Sequence, residues 1–365
     1  MKVGHCQAPN ARTPDQLSDQ GFLLSGFCLY LLLWHALQGV DCVKLAAMNK
    51  SLLSLLSSDA AVSGEALAAH FGCSRAAISK QIEALRNAGV LLHSRSRVGY
   101  QLGYSYQWWD AGQLGALFAS LPLQVNLLDS VSSTNTWLRE QPAAAVCQLA
   151  ITDWQGAGRG RHEREWLSPP GRQLTFSVRR DVTEGPWLWQ GLALAVGVEI
   201  AEVLEGLGIP VRLKWPNDLW LNGAKLGGIL VELDAASDGP SSIIVGVGLN
   251  EFLTQAERDG LDRPVSDLSA YAASYTRLQL LYALIERLIR LLNEYAARGL
   301  GAWIDRWHRL DLLNGQEVRF ELAGRQVTGI AQGIDAQGCL CVMTADGLQK
   351  CHSGEICLGA MMGGF

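Results

Sequence analysis

The 365-residue chain reads as a multi-domain α/β protein, with a winged helix-turn-helix in front, a larger α/β domain in the middle and a small all-β barrel behind. Three features predict this. Short capped helical patterns fill residues 48–102, strand-like runs alternate with long helical patterns from about 124 to 310, and short strands with Gly turns follow from about 312.

Residues 1–47 do not share that texture. The run GFLLSGFCLYLLLWHALQGV, residues 21–40, is about as long as a membrane span. Asp15 and Asp19 beside Lys2 and Arg12 do not give it a clean basic flank. Met48 opens MNKSLLSLLSS, a natural start for a helical domain, so an upstream start-site choice is preferred to a membrane anchor.

Leu52, Leu53, Leu55 and Leu56 give the first helix an apolar face. SGEALAAHFG supplies Ser63 as N-cap, Leu67 and Phe71 on one face, and Gly72 as the stop. SRAAISKQIEALRNAG restarts at Ser74, with Ile78, Ile82 and Leu85 at i, i+4, i+7 and Gly89 at the end. A turn this short between two such helices suits a helix-turn-helix. VLLHSRSRVGYQL then predicts a hairpin with Arg95 and Arg97 at its tip, where a wing would meet phosphates. Residues 48–102 hold six Lys/Arg against three Asp/Glu, opposite in sign to the whole chain at −5, so any nucleic-acid surface is local. Ser74, Arg75, Ser79, Lys80, Gln81, Arg95 and Arg97 are the candidate DNA contacts.

Residues 103–123 form a connector with exposed-looking aromatics. Beyond it, QLAITDW and RQLTFSV are strands flanking one loop, residues 187–208 are one helix, VRLKW, LGGILVELD and SSIIVGVGLN are strands, and residues 276–297 are an amphipathic helix. The nine cysteines form no CxxC pair, which suits free thiols in a reducing cytosol, with no metal motif; Cys339 and Cys341 read as packing.

Chemistry concentrates in three stretches. WQGAGRGRHEREW, Trp154 to Trp166, packs three glycines and three arginines into a loop between strands. It lacks the Lys-Ser/Thr of a Walker A and does not open a helix, which leaves an arginine-bearing loop able to close over an anion. LKWPNDLWLNGAKLGGILVE puts Lys214 at a strand end, a Trp-Pro turn with Asn217 and Asp218, and Lys225 entering a buried strand ahead of Gly227 and Gly228. A lysine there is costly unless it meets an anion, although it could also cap a turn in water. DSVSSTNTWL sets Ser132, Ser133, Thr134 and Asn135 before a helix, where an N-cap alone would account for them.

Together, GRGR followed by Trp, KWPND, K-L-x-G-I-L-V-E, S-S-T-N and G-x-G-x-N resemble the biotin–protein ligases. With the helix-turn-helix, the chain is similar from residue 48 to about 358 to the bifunctional ligases that also repress the biotin operon. The resemblance implies a class II synthetase-like biotin/lipoate ligase domain with a mixed sheet at 109–310, after a DNA-binding domain at 48–108 and before an SH3-like domain at 311–365. It implies that Ser133, Thr134, Asn135 and Gln155 hydrogen-bond the ureido ring of biotin. Arg159, Gly160 and Arg161 would hold the loop over the biotin carboxylate and the α-phosphate. Lys225 would contact the same oxygens, so that Lys225, Arg159 and Arg161 carry catalysis. Asn250 would approach the adenine, and Trp215 and Asn217 would shape the wall between the biotin and nucleotide sites.

The implied activity joins biotin and Mg-ATP into biotinyl-5′-AMP. Biotin then passes to a lysine of the biotin carboxyl carrier protein of acetyl-CoA carboxylase. The adenylate would also act as corepressor, completing a homodimer that binds operator DNA of biotin biosynthesis genes, in the cytoplasm. Two departures stand out. Where family loops continue GRGRRGRxW, this chain has His162, Glu163, Arg164 and Glu165 after Arg161, and Gly359 replaces a basic residue found in some relatives. The first lowers the positive potential beside the adenylate contacts and removes a flexible hinge.

Overall fold

The computed structural model describes residues 51–234, 241–322, 325–354 and 356–358. The apolar run at 21–40 and Gly359 lie outside them.

After a helical turn at 51–54, α1 (Gly64–His70) and α2 (Arg75–Asn87) are capped by Ser63 and Ser74, whose hydroxyls accept from Ala66 N and Ala77 N. Leu52, Leu67, Ile78, Ile82 and Leu85 form one buried cluster. Each is worth roughly 1.5–3 kcal/mol relative to exposure. The hairpin β1 (Leu92–Arg95) and β2 (Gly99–Leu102) follows. Arg86 staples it to α2, donating to Leu92 O and Ser94 Oγ.

The connector departs from expectation: its aromatics are packed. Tyr106 and Trp108 stack at 4.7 Å, the Tyr106 hydroxyl accepts from Leu91 N, and Trp109 is 3% exposed. α3 (Ala111–Leu117) leads into a seven-stranded mixed sheet, ordered β3-β4-β5-β9-β8-β7-β6. Its strands are β3 (Leu123–Leu128), β4 (Cys147–Thr152), β5 (Gln173–Val182), β6 (Arg212–Lys214), β7 (Asp218–Leu221), β8 (Ala224–Asp234) and β9 (Ser241–Asn250). Only β3 and β4 pair in parallel. α4 (Thr134–Arg139) covers one face, where Leu138 meets Ala150 and Ile244. The other face packs against α5 (Leu192–Gly206) and, beyond the short α6 (Gln255–Asp259), α7 (Arg277–Arg298). Period-2 alternation sorts the faces, as Ile243, Val245, Val247 and Leu249 of β9 enter the larger core.

Two local readings are corrected. The single helix expected at 187–208 is a 3₁₀ turn, Pro186–Trp189, and then α5, broken where Gly191 takes φ 77°. Asp218, expected in the Trp-Pro turn, instead opens a further strand, β7, which turns through Asn222-Gly223, both at positive φ, into β8. The stretch Pro186–Gly206 is long and apolar enough to cross a membrane, yet it is mostly buried as the central core helix.

α8 (Ile304–Leu310) leads to an antiparallel five-stranded sheet of β10 (Glu317–Leu322), β11 (Arg325–Ile334), β12 (Leu340–Thr344), β13 (Gly347–Cys351) and β14 (Cys357–Leu358). Trp215 Nε1 donates to Gly338 O, tying this sheet to the central one.

Candidate active site

The pocket lies on the α4 face of the large sheet, where the pattern changes from apolar to small and polar. Gly246 and Gly248 of β9 and Gly228 of β8 floor it. A Cβ on Gly246 would sit 2.3 Å from Asn135 Oδ1, and one on Gly248 would sit 2.6 Å from the Trp166 ring. Side chains therefore rest directly on bare backbone.

Ser133, Thr134, Asn135 and Gln155 are all buried and line this pocket. Gln155 Oε1 accepts from Thr134 N at 2.8 Å and from its hydroxyl at 3.1 Å. Thr134 Oγ1 meets Ser177 Oγ, which donates to Asn135 Oδ1, and Asn135 Nδ2 donates to Glu232 Oε2 at 2.7 Å. This chain of bonds locks the polar wall in place. Ser133 is also the N-cap of α4, so the modest capping role and the pocket role coincide. Ser177 and Glu232 escaped the sequence reading; the polar inward position in LTFSV was the available signal for Ser177. The hydroxyl of Thr175 is buried in the pocket without a hydrogen-bond partner among the described residues, which favours a polar ligand.

The quoted loop joins β4 to β5 as expected. It folds back as a small hairpin: Gly160 N donates to Arg164 O at 2.7 Å, Trp166 N to Gly158 O at 2.8 Å, and Arg159 bridges Glu165. The turn at its tip puts His162 and Glu163 at φ 56° and 55°. Trp166 roots the hairpin, its Nε1 donating to Gln173 Oε1 at 2.9 Å.

Arg159 and Arg161 differ in setting. Arg159 Nη1 donates to both Glu163 carboxylate oxygens, at 3.0 and 3.1 Å, and Nη2 donates to Thr136 Oγ1 at 2.9 Å. Arg161 lines the pocket, where burial lowers its pKa against the opposing charge of Asp218. Lys225 enters β8 and pairs with Asp218 at 2.7 Å, so the anion it meets within the chain is a carboxylate of the adjacent strand. Burial also lowers Lys214, with Asp218 acting in the opposite sense. Six Lys/Arg line the pocket against three Asp/Glu, in a chain of net charge −5. This is a cationic cleft in an acidic protein, suited to an anion.

Trp215, Asn217 and Asn250 line the pocket as well. Their polar atoms also serve the fold: Asn217 Nδ2 donates to Ile229 O, and Asn250 donates to Ser266 O and accepts from Gln173. The Trp215–Pro216 peptide is cis. Arg263 was missed; it enters from the loop after α6, whose backbone pairs with that of Lys225. Ser74, Arg75, Ser79, Lys80, Arg95 and Arg97 are exposed and Gln81 half-exposed, away from the pocket. The described residues hold no group of three or more His, Cys, Asp or Glu suited to a metal.

A glycine-floored sheet, a buried amide and hydroxyl wall and an arginine hairpin together make a pocket suited to a polar, anionic ligand. Residues 127–250 match the biotin/lipoate A/B protein ligase family, 314–359 the biotin protein ligase C-terminal domain, and 49–101 an HTH domain. The chain is 36% identical over 311 residues to the bifunctional ligase/repressor BirA of Escherichia coli, spanning 84% of this chain and 96% of that protein. It is 35% identical, with the same coverage, to BirA of Salmonella typhimurium. A biotin protein ligase of Aquifex aeolicus solved in complex with biotin and ATP superposes with a TM-score of 0.55 at 27% identity, covering 64% of this chain and 98% of that one. The chain belongs to the biotin protein ligase family.

Proposed function

We propose that the chain activates biotin with ATP to biotinyl-5′-AMP and transfers biotin to a lysine of the biotin carboxyl carrier protein of acetyl-CoA carboxylase. We further propose that the adenylate serves as corepressor at biotin biosynthesis genes. The observation carrying this reading is the joining of a rigid neutral polar wall to a cationic rim in one glycine-floored pocket. Biotin needs both, having a ureido ring at one end and a carboxylate at the other.

In the first step the biotin carboxylate attacks the α-phosphorus of ATP and pyrophosphate leaves. Ser133, Thr134, Asn135 and Gln155 orient the ring, while Lys225, Arg159 and Arg161 offset negative charge growing on carboxylate and phosphate oxygens. Lys225 then shares its three N–H donors between Asp218 and ligand oxygens. Asn250, Trp215 and Asn217 form the nucleotide side of the wall. Magnesium arrives with the ATP phosphates, as that ion usually does. In the second step a lysine amine attacks the mixed anhydride, and AMP leaves with its bonding pair.

Domains at 48–108, 109–310 and 311–365 fit this division of labour, the last as an SH3-like barrel. The 92–102 hairpin serves as a wing, with Arg95 and Arg97 at phosphates and Ser74, Arg75, Ser79, Lys80 and Gln81 on α2. A homodimer with adenylate bound would present two such units to operator half-sites. Free thiols at all six described cysteines support a reducing cytoplasm.

Biotin-dependent ATP–pyrophosphate exchange with the purified chain is the test. Exchange with biotin supports the reading; exchange with lipoate and none with biotin overturns the substrate assignment.

A further inference from the structure

We infer that Glu163 is a built-in counter-ion for Arg159, a positioning residue that holds the ligand loop closed before any ligand arrives and competes with the adenylate for the Nη1 donors. This rests on the reading of Arg159 as an adenylate contact.

Three observations converge. First, the guanidinium is already in use: both Glu163 oxygens take Nη1, Thr136 takes Nη2, and Glu232 lies 4.0 Å away. Nε and the second Nη2 hydrogen stay available, so a ligand phosphate or carboxylate that reaches for Nη1 competes with Glu163 for it. Second, Glu163 stands at φ 55° beside His162 at φ 56°, a backbone state that glycine takes freely and a glutamate does not. A residue held in that state is over-determined by its surroundings, and the bidentate pair to Arg159, with the backbone ladder of the hairpin, is what surrounds it. Third, Arg161, two residues away, carries no ion pair of its own among the described residues and is turned into the pocket. The hairpin therefore offers one arginine ready for ligand and one committed to an internal carboxylate.

Glu163 is 76% exposed, so the latch is weak and exchangeable. An exposed pair of this kind changes an equilibrium by roughly two- to fivefold. That is enough to tune how long an adenylate is kept without abolishing its formation. Competition of this sort acts only on ligands that bring an anion to Arg159.

The experiment compares wild type with Glu163→Gln, which keeps the length of the side chain and removes its charge. In the ligand-free protein, trypsin cleavage within residues 159–164 should be two- to fivefold faster in the variant. Titration with biotinyl-5′-adenylate should show two- to fivefold tighter binding in the variant. Neutral biotin amide should bind equally to both. Unchanged cleavage together with unchanged adenylate affinity overturns the latch, and so does an amide affinity that shifts in parallel with the adenylate. If the wild-type chain binds neither biotin ligand, the functional reading fails and the inference falls with it.

Discussion

Replacing Arg277 with Met removes one buried guanidinium on which four parts of the chain converge. Arg277 donates to Glu251 Oε2 at 2.8 Å, to Asp153 Oδ1 at 3.0 Å, and to the carbonyls of Gln107 and Gln173. It lies 4.0 Å from the centre of the Trp109 ring. Its side chain is 5% exposed and its carboxylate partners 6% and 9%. Met keeps most of the stem, so the substitution deletes charge and hydrogen bonds more than volume. Two buried carboxylates are left without that counter-ion, which costs roughly 3–5 kcal/mol. At about 2–4 °C per kcal/mol for a unit of this size, Tm should fall by about 6–20 °C. Burial already pushes Glu251 up from the usual carboxylate value, with Arg277 opposing. Without Arg277 nothing opposes that burial, and the folded pKa of Glu251 stands further above the unfolded one. The variant is then least impaired below the unfolded value, and its deficit grows as pH rises through the folded one. Thermal unfolding followed by circular dichroism across that range is the assay. A drop under about 3 °C near neutral pH, against the minimum set by the buried-pair cost, refutes the reasoning. A larger drop that is independent of pH refutes it equally.

Lys225→Ala should leave the protein folded and abolish biotin-dependent pyrophosphate exchange; exchange persisting at wild-type rate removes Lys225 from catalysis. Gly246→Ala drives a methyl to 2.3 Å from Asn135 Oδ1, so the polar wall must shift. About 1–3 kcal/mol of stability should be lost with at least tenfold weaker biotin binding by calorimetry, and near-native affinity would contradict the close-packed floor. Arg75→Ala and Arg95→Ala should each weaken operator binding and lower its salt slope by about 1, with biotin transfer unchanged. For Glu257 burial raises the pKa, yet hydrogen bonds and charge from Arg172 outweigh it and hold the carboxyl below its usual range. Its stabilisation is present above the unfolded value and lost as pH falls through the folded one. Glu257→Gln should therefore flatten the acid limb of the stability curve below pH about 4, and an unchanged limb would count against the pair.

What was legible in the sequence was what repeats locally. The caps at Ser63, Ser74 and Ser133, the alternation in β9 and the hairpin at 92–102 each follow from neighbours in the chain. The pocket motifs were legible because glycine, lysine and arginine occur there at uncommon spacings. Buried charge was not. Arg172 and Arg277 carry nothing that separates them from surface arginines, because their partners lie 26 to 170 residues away. Trp109 of the connector looked exposed for the same reason: the guanidinium over its ring is that of Arg277 in α7. β7 was hidden because Pro216, Asn217 and Asp218 signal a turn, and that signal outweighed the short apolar run behind them. The Arg159–Glu163 pair is local in sequence, but it depends on a left-handed tip that no glycine announces.

The seam between the small helical domain and the sheet bears on inheritance. Arg172, 1% exposed, holds Glu257 with two bonds of 2.7 Å and spends its remaining Nη2 hydrogen on Gly89 O, just past the end of α2. The Tyr106 hydroxyl is likewise bound to Leu91 N. A recombination event that cut away residues 48–102 would leave a buried cation one acceptor short and bare the Tyr106–Trp108 stack. The two halves are therefore not interchangeable cassettes. A descendant that discarded the helix-turn-helix would carry the mark of the loss at positions 106, 108 and 172, where this chain has fitted one half to the other.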